Sequence, residues 1–195
     1  AAFPSAPEKF EALARFTGTA VVVHGAGRTD AGVHALAQVA TVEVAVTHDV
    51  ATIQRGLNAS LPTDVRVTSV EEAPVGFHAR FNATSKTYRY VIDNKRIASP
   101  FDRAYSWHIP EPLNVAAMRD AAMALVGTHD FACFRSAGTD VTTTVRTVTR
   151  SELKSSQGEE YVGRTLLGPP GEPGKARPTM FISYEVAGDG FLRHM

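Results

Sequence analysis

Residues 38–47 (QVATVEVAVT) and 84–94 (TSKTYRYVIDN) alternate in character with a period of two. In the first, Val42, Val44 and Val46 stand against Thr41, Glu43 and Ala45; in the second, Tyr88, Tyr90 and Ile92 share one face. A strand that is wet on one side belongs in an antiparallel sheet whose other face is covered. Helical spacing supplies the cover. Residues 7–16 put Phe10, Leu13 and Phe16 on one side, residues 48–60 look helical and stop before Leu61-Pro62, and residues 113–126 form an alanine-rich amphipathic helix with Gly127 as its stop. Further strands are expected at 19–24, 64–71, 143–153, 159–167 and 179–187, with a polar Gly/Pro loop over 168–175. This order predicts an α+β fold of two ferredoxin-like halves, each an antiparallel sheet with helices packed on one face. The halves run over 1–82 and 83–195, and their duplication rests on element order, because their sequences do not visibly repeat.

The chain has 195 residues, 44% of them hydrophobic and 21% charged, an ordinary globular composition with room for one large core or two small ones. Lys plus Arg equals Asp plus Glu, at 20 each, so net charge argues neither for nor against nucleic acid and the local distribution must decide. No apolar run approaches a membrane span and no cleavable signal is visible at the start, and with one cysteine a reducing cytoplasm is the expected location. Cys133 is the only cysteine, which excludes a disulfide framework and a Cys-based zinc site. Between its aromatic neighbours Phe131 and Phe134 it reads as a small buried hydrophobe, and those two phenylalanines read as core.

The richest chemistry lies at residues 25–35, Gly-Ala-Gly-Arg-Thr-Asp-Ala-Gly-Val-His-Ala, directly after the apolar run 20–23. Glycines there allow close ligand approach, and Asp30 stands at the end of a strand with Arg28 two residues before it. Such a loop presents a carboxylate nucleophile or base beside a phosphate-holding cation. An Asp in this setting equally caps a turn, and Arg28 and Asp30 could simply pair. The loop lacks the Lys-Ser/Thr ending of a P-loop and the spacing of a dinucleotide turn. His24, Asp30 and His34 show no metal-ligand spacing, so no metal is expected, and His34 reads as a histidine that hydrogen-bonds the loop. A second cluster runs from Phe77 to Arg96. It holds Arg80, Lys86, Arg89, Lys95 and Arg96 against one acid, Asp93, with aromatic residues interleaved. Cations hold phosphates and aromatic faces stack unpaired bases, whereas the plainer reading is a strand with core tyrosines and a solvated basic face. Arg135 and the polar loop after it, and the run Asp189 to Met195, complete the candidates.

Five motifs occur in order: Gly27-Arg28-Thr29-Asp30-Ala31-Gly32-Val33-His34, Phe77-His78-Ala79-Arg80-Phe81, Lys86-Thr87-Tyr88-Arg89-Tyr90, Asp130-Phe131 with Phe134-Arg135, and Phe191-Leu192-Arg193-His194-Met195. In these the chain resembles the TruA family of tRNA pseudouridine synthases over nearly its whole length. The resemblance implies the pseudouridine synthase fold and isomerisation of uridine to pseudouridine at positions 38, 39 and 40 of the tRNA anticodon stem-loop, on a flipped-out base and without cofactor or metal. It implies Asp30 as the catalytic nucleophile, Tyr88 as the base-stacking residue and Arg28 as the aid to base flipping. It also implies an RNA-binding surface that includes Phe77, His78, Ala79, Arg80 and Phe81, with Gly138, Thr139, Asp140, Val141 and Thr142. Arg96 joins that surface as part of the basic cluster. A homodimer that holds each tRNA across both subunits is implied as well.

Members of that family open with a strand and a Tyr-Asp-Gly…Gly-Trp-Gln stretch, and their last motif runs on into Val-Arg and a long helix. Here Trp107 is the only tryptophan and the sequence stops at Met195, so a chain truncated at both ends is expected. Besides an RNA-modifying isomerase, two other classes stay open: a non-catalytic RNA-binding module, and a small-molecule enzyme whose glycine loop binds phosphate.

Overall fold

The computed structural model describes Ala14, Gly18 and residues 21–45, 48–136, 142–157 and 180–192. It divides into two compact units, 1–83 and 84–195. The helix expected at 7–16, the strand at 159–167 and the loop at 168–175 lie outside the described residues, Ala14 excepted.

In the first unit, β1 (Val23–Gly25) pairs antiparallel with β2 (Ala40–Val42), His24 standing opposite Thr41. Val42 and Val44 are half-buried and Glu43 and Ala45 exposed, so the expected alternation holds although the paired strand is shorter than expected. Helix α1 (Val50–Ser60) starts on Asp49, whose carboxylate accepts the Thr52 N–H at 2.7 Å. That bond holds the Asp49 carboxyl below its ordinary range. The helix ends at Leu61, which is extended (φ −80°, ψ 150°) as the residue before a proline prefers.

The strand expected at 64–71 does not form a ladder. Gln54 and Asn58 lie one turn apart on α1 and take its backbone groups instead. The Gln54 amide donates to the Val67 and Thr68 carbonyls at 3.1 and 2.7 Å. Asn58 donates to the Val67 carbonyl at 2.9 Å and accepts its N–H at 2.8 Å. At Val67 and Thr68 the helix side chains thus take the place of a neighbouring strand.

The second unit is a five-stranded sheet of order β4-β3-β7-β6-β5. Its strands are β3 (Lys86–Asp93), β4 (Trp107–His108), β5 (Gly127–Asp130), β6 (Val145–Gln157) and β7 (Met180–Gly188), with α2 (Val115–Met123) and a 3₁₀ turn (Ala132–Phe134). Helix α2 is capped by Asn114, whose side chain accepts the Ala117 N–H at 3.0 Å. The pairs β3–β7, β6–β7 and β5–β6 are antiparallel, as expected. The β3–β4 pair is parallel, because residues 94–106 make a crossover that brings the chain back in the same direction. Asn94 pins that crossover by donating to the Ile109 and Glu111 carbonyls at 2.6 and 2.7 Å. The α+β class is therefore as expected, with one parallel edge added.

Phe131, Val148, Val186 and Leu192 form the core, with Leu125, Tyr184 and Phe191 packed against it. Two expectations fail here. Phe131 takes the interior position at the start of the 3₁₀ turn, and the turn then carries Phe134 and Cys133 out to solvent. Gly188 lies where β6 bulges between Val148 and Arg150, and a Cβ there would stand 2.7 Å from the Thr147 carbonyl oxygen.

Two charge clusters tie the sheet together. Glu185 on β7 lies beside Arg89 on β3, which donates through Nε and Nη2 to Oε2 at 3.1 and 2.8 Å, and Arg150 on β6 pairs with its Oε1. The hydrogen bonds from Arg89 and the field of Arg150 lower the Glu185 pKa. At the end of β3, Asp93 is 1% exposed and Asp102 is buried in the crossover. Lys95 Nζ stands 3.4 Å from Asp93 Oδ2 and 3.7 Å from Asp102 Oδ2, which has no hydrogen bond of its own.

Replacing Lys95 by Met leaves two buried carboxylates without a cation, and a loss on the order of 3 kcal/mol is expected in urea unfolding at neutral pH. A carboxyl whose pKa is lowered by folding stabilises the fold when ionised, above its unfolded value near 4.5, and that contribution disappears as pH falls through the lower folded value. Glu185→Gln is therefore expected to reduce the unfolding midpoint at pH 7 and to flatten its decline below about pH 4.5, as thermal melts across an acid series would record.

Candidate functional site

The loop from Ala26 to Val39 springs from the β1–β2 ladder and is closed by two bonds. Ala26 N–H donates to the Val39 carbonyl at 2.9 Å, and the Gln38 amide donates to the Gly27 carbonyl at 2.7 Å. Inside it, Val33 N–H donates to the Asp30 carbonyl at 3.1 Å, so Asp30-Ala31-Gly32-Val33 is a tight turn. Gly32 takes φ +83°, the conformation a type II turn demands at its third residue. The turn leaves the side chains of Arg28 and Asp30 exposed, and among the described residues no ion pair joins them. Among the described residues the Asp30 carboxylate makes no hydrogen bond or ion pair, while its backbone carbonyl closes the turn. His34 is exposed as well.

The segment Phe77 to Phe81 docks on the same ladder. Ala79 is buried and its N–H donates to Thr41 Oγ1 at 2.8 Å. The His78 ring lies 4.8 Å from that of His24 and 4.4 Å from that of Phe81. Asn82 folds back to accept the His78 N–H at 2.7 Å, and the Phe81 and Asn82 amides donate to the His78 carbonyl, which makes 78–82 a turn. The turn turns Phe77, Arg80 and Phe81 outward, the Arg80 guanidinium 6.0 Å from the Phe81 ring centre. Two motifs that are some fifty residues apart in the chain therefore share one small ladder.

In the second unit, Tyr88 is 40% exposed and meets Phe191 edge to face at 5.1 Å. Phe191 in turn packs on the core, so the ring of Tyr88 is braced from the interior. Asp189 anchors the segment that bears Phe191, its N–H donating to the Thr147 carbonyl at 3.1 Å and its carboxylate accepting the Thr147 N–H at 3.0 Å. Tyr90 stacks on Tyr184 at 6.2 Å. Arg96 is exposed, as is Thr142, while Gly138, Thr139, Asp140 and Val141 lie outside the described residues.

The basic cluster read from the sequence is divided by the structure. Arg89 is held by Glu185, and Lys95 by Asp93 and Asp102, so these two serve the sheet. Arg80 and Arg96 keep exposed guanidinium groups with no ion pair among the described residues. His24 and Thr41 support the segment Phe77 to Phe81 through strand register, for which a histidine before a glycine loop carries no local sequence signal.

No helix among the described residues is long and apolar enough to cross a membrane, and no group of three or more His, Cys, Asp or Glu among them could hold a metal ion.

Residues 8–82 and 121–195 match the model of a family described as tRNA pseudouridine synthase. The tRNA pseudouridine synthase A of Streptococcus pyogenes serotype M3 is 39% identical over 151 residues, 77% of this chain and 61% of that relative. That of Streptococcus thermophilus is 44% identical over 137 residues, 70% of this chain and 55% of the relative. The chain therefore spans a little over half the length of these curated relatives.

A Cβ on Gly32 would meet nothing within 4 Å, so only the backbone conformation resists a side chain there. Gly32→Ala is expected to lower stability by about 1 kcal/mol in urea titration, with the loop bonds of Gln38 and Val39 intact by NMR.

Proposed function

The chain belongs to the tRNA pseudouridine synthase family, and from that premise we propose that it isomerises uridine to pseudouridine in tRNA, at positions 38, 39 and 40 of the anticodon stem-loop. The observation that carries the reading is the match of 8–82 and 121–195 to that family, supported by an Asp30 that is exposed and in no ion pair among the described residues. The reaction breaks the bond between uracil N1 and ribose C1′, turns the base, and joins C5 to C1′. The C5 proton is lost and N1 gains one, so no redox partner or energy source is needed. Asp30 acts as the nucleophile, at C6 of the base or at C1′.

A base in a stem must leave its stack to reach such a residue. Arg28, two positions from Asp30 and free of any ion pair among the described residues, holds a phosphate or fills the vacated space. Tyr88, braced by Phe191 and partly exposed, offers a ring for the flipped uracil. The outward Phe77, Arg80 and Phe81, the exposed Arg96 and residues 138–142 extend the RNA-binding surface. His78 and Ala79 belong to it as the inner side of the same turn. The remaining proposals are assembly as a homodimer that holds tRNA across both subunits, a cytoplasmic location, and catalysis without cofactor.

Asp30→Ala is expected to abolish tritium release from C5-labelled uridine in tRNA while binding of the same tRNA stays within a few fold. Equal tritium release from the variant would remove Asp30 from the chemistry. Tight tRNA binding with no release from the unaltered protein would favour a non-catalytic RNA-binding module.

A further inference from the structure

His24 and Thr41 face each other across β1 and β2, one residue inside the mouth of the loop that bears Asp30. Both reach the same foreign segment at neighbouring residues. Thr41 Oγ1 takes the N–H of Ala79 at 2.8 Å, across 38 residues of chain, and the His24 ring lies 4.8 Å from that of His78. The column of rings continues to Phe81 at 4.4 Å. His78 Nδ1 accepts the Arg80 N–H at 3.1 Å, so in the neutral ring the proton sits on Nε2 and the ring is held in one orientation.

His24 is exposed and Phe81 is 78% exposed, so the column buries little apolar surface and adds little to folding stability. What it determines is direction. Ala79 points inward at 3% exposure, and its neighbours Arg80 and Phe81 are thereby turned outward. The Ala79 amide is the group most dependent on Thr41, since a buried N–H without a partner is costly.

We propose that His24 and Thr41 are positioning residues for RNA recognition: they form a bracket that holds the 78–82 turn on the ladder from which the Asp30 loop springs. Through it, Arg80 presents its guanidinium to a phosphate and Phe81 its ring to an unpaired base, in fixed register with that loop. The proposal rests on the tRNA reading above and deepens it, because it names the residues that set the binding geometry without touching the substrate.

The test uses the purified protein and its variants Thr41→Val, His24→Ala and His24→Phe. Three quantities are measured: exchange of the Ala79 amide by NMR, the thermal midpoint, and the dissociation constant for an unmodified anticodon stem-loop RNA. Thr41→Val is expected to speed Ala79 exchange. Thr41→Val and His24→Ala are each expected to weaken RNA binding about tenfold, from the lost bond or ring contact, with the midpoint little changed for His24→Ala. His24→Phe, which keeps the stacking face, is expected to bind within about threefold of the unaltered protein. Unaltered RNA affinity in both Thr41→Val and His24→Ala overturns the proposal, as does failure of His24→Phe to recover what His24→Ala loses. Tritium release by the unaltered protein is followed in parallel; its absence counts against the isomerase reading alone, since the affinities are read without turnover.

Discussion

Strand β7 is bonded along both edges, to β3 on one side and β6 on the other, and the second unit is organised around that double pairing. Ile182 at its centre is fully buried, and Val186 belongs to the core. Glu185 projects from the same strand and meets a cation from each neighbour. Register is thereby specified three ways, by the ladder, by the buried face and by opposite charges on adjacent strands. The end of the strand continues this control. Gly188 admits the Thr147 carbonyl at a distance no side chain would permit, and Asp189 binds the Thr147 backbone, so Phe191 arrives beneath Tyr88.

Much of this was legible where the signal is local. Helix α1 follows from its helical pattern and the Leu61-Pro62 stop, and β3 from its alternating tyrosines. Elements that depend on distant partners were not legible. Strand β5 reads Gly-Thr-His-Asp, a turn-like composition, and exists because β6 offers it a ladder. The two residues of β4 follow from a crossover that only the fold reveals. Residues 64–71 carry a strand-like pattern, yet the side-chain amides of Gln54 and Asn58 take the backbone groups of Val67 and Thr68. Cys133 and Phe134 were misplaced because hydrophobic character does not say which residue of a tight turn faces inward.

The candidate site divides in the same manner. The residue types at Arg28, Asp30, Phe77 to Phe81 and Tyr88 stood out in the sequence, because their spacing and chemistry are local. Their supports did not. The bracing of Tyr88 by Phe191 and the docking of Ala79 on Thr41 join residues far apart in the chain. Charge counting was equally blind to allocation: of five cations between Phe77 and Arg96, Arg89 and Lys95 are taken by carboxylates of the sheet and its crossover. A local excess of basic residues overstates the charge available to a polyanion, and a fold can absorb it.

The sole thiol of the chain sits on the outer side of a 3₁₀ turn, open to solvent. A maleimide dye would therefore attach at one defined position without any engineered cysteine. Left unprotected under oxidising storage, the same sulfur would link two molecules covalently, a dimer of chemical origin that reductant would dissolve.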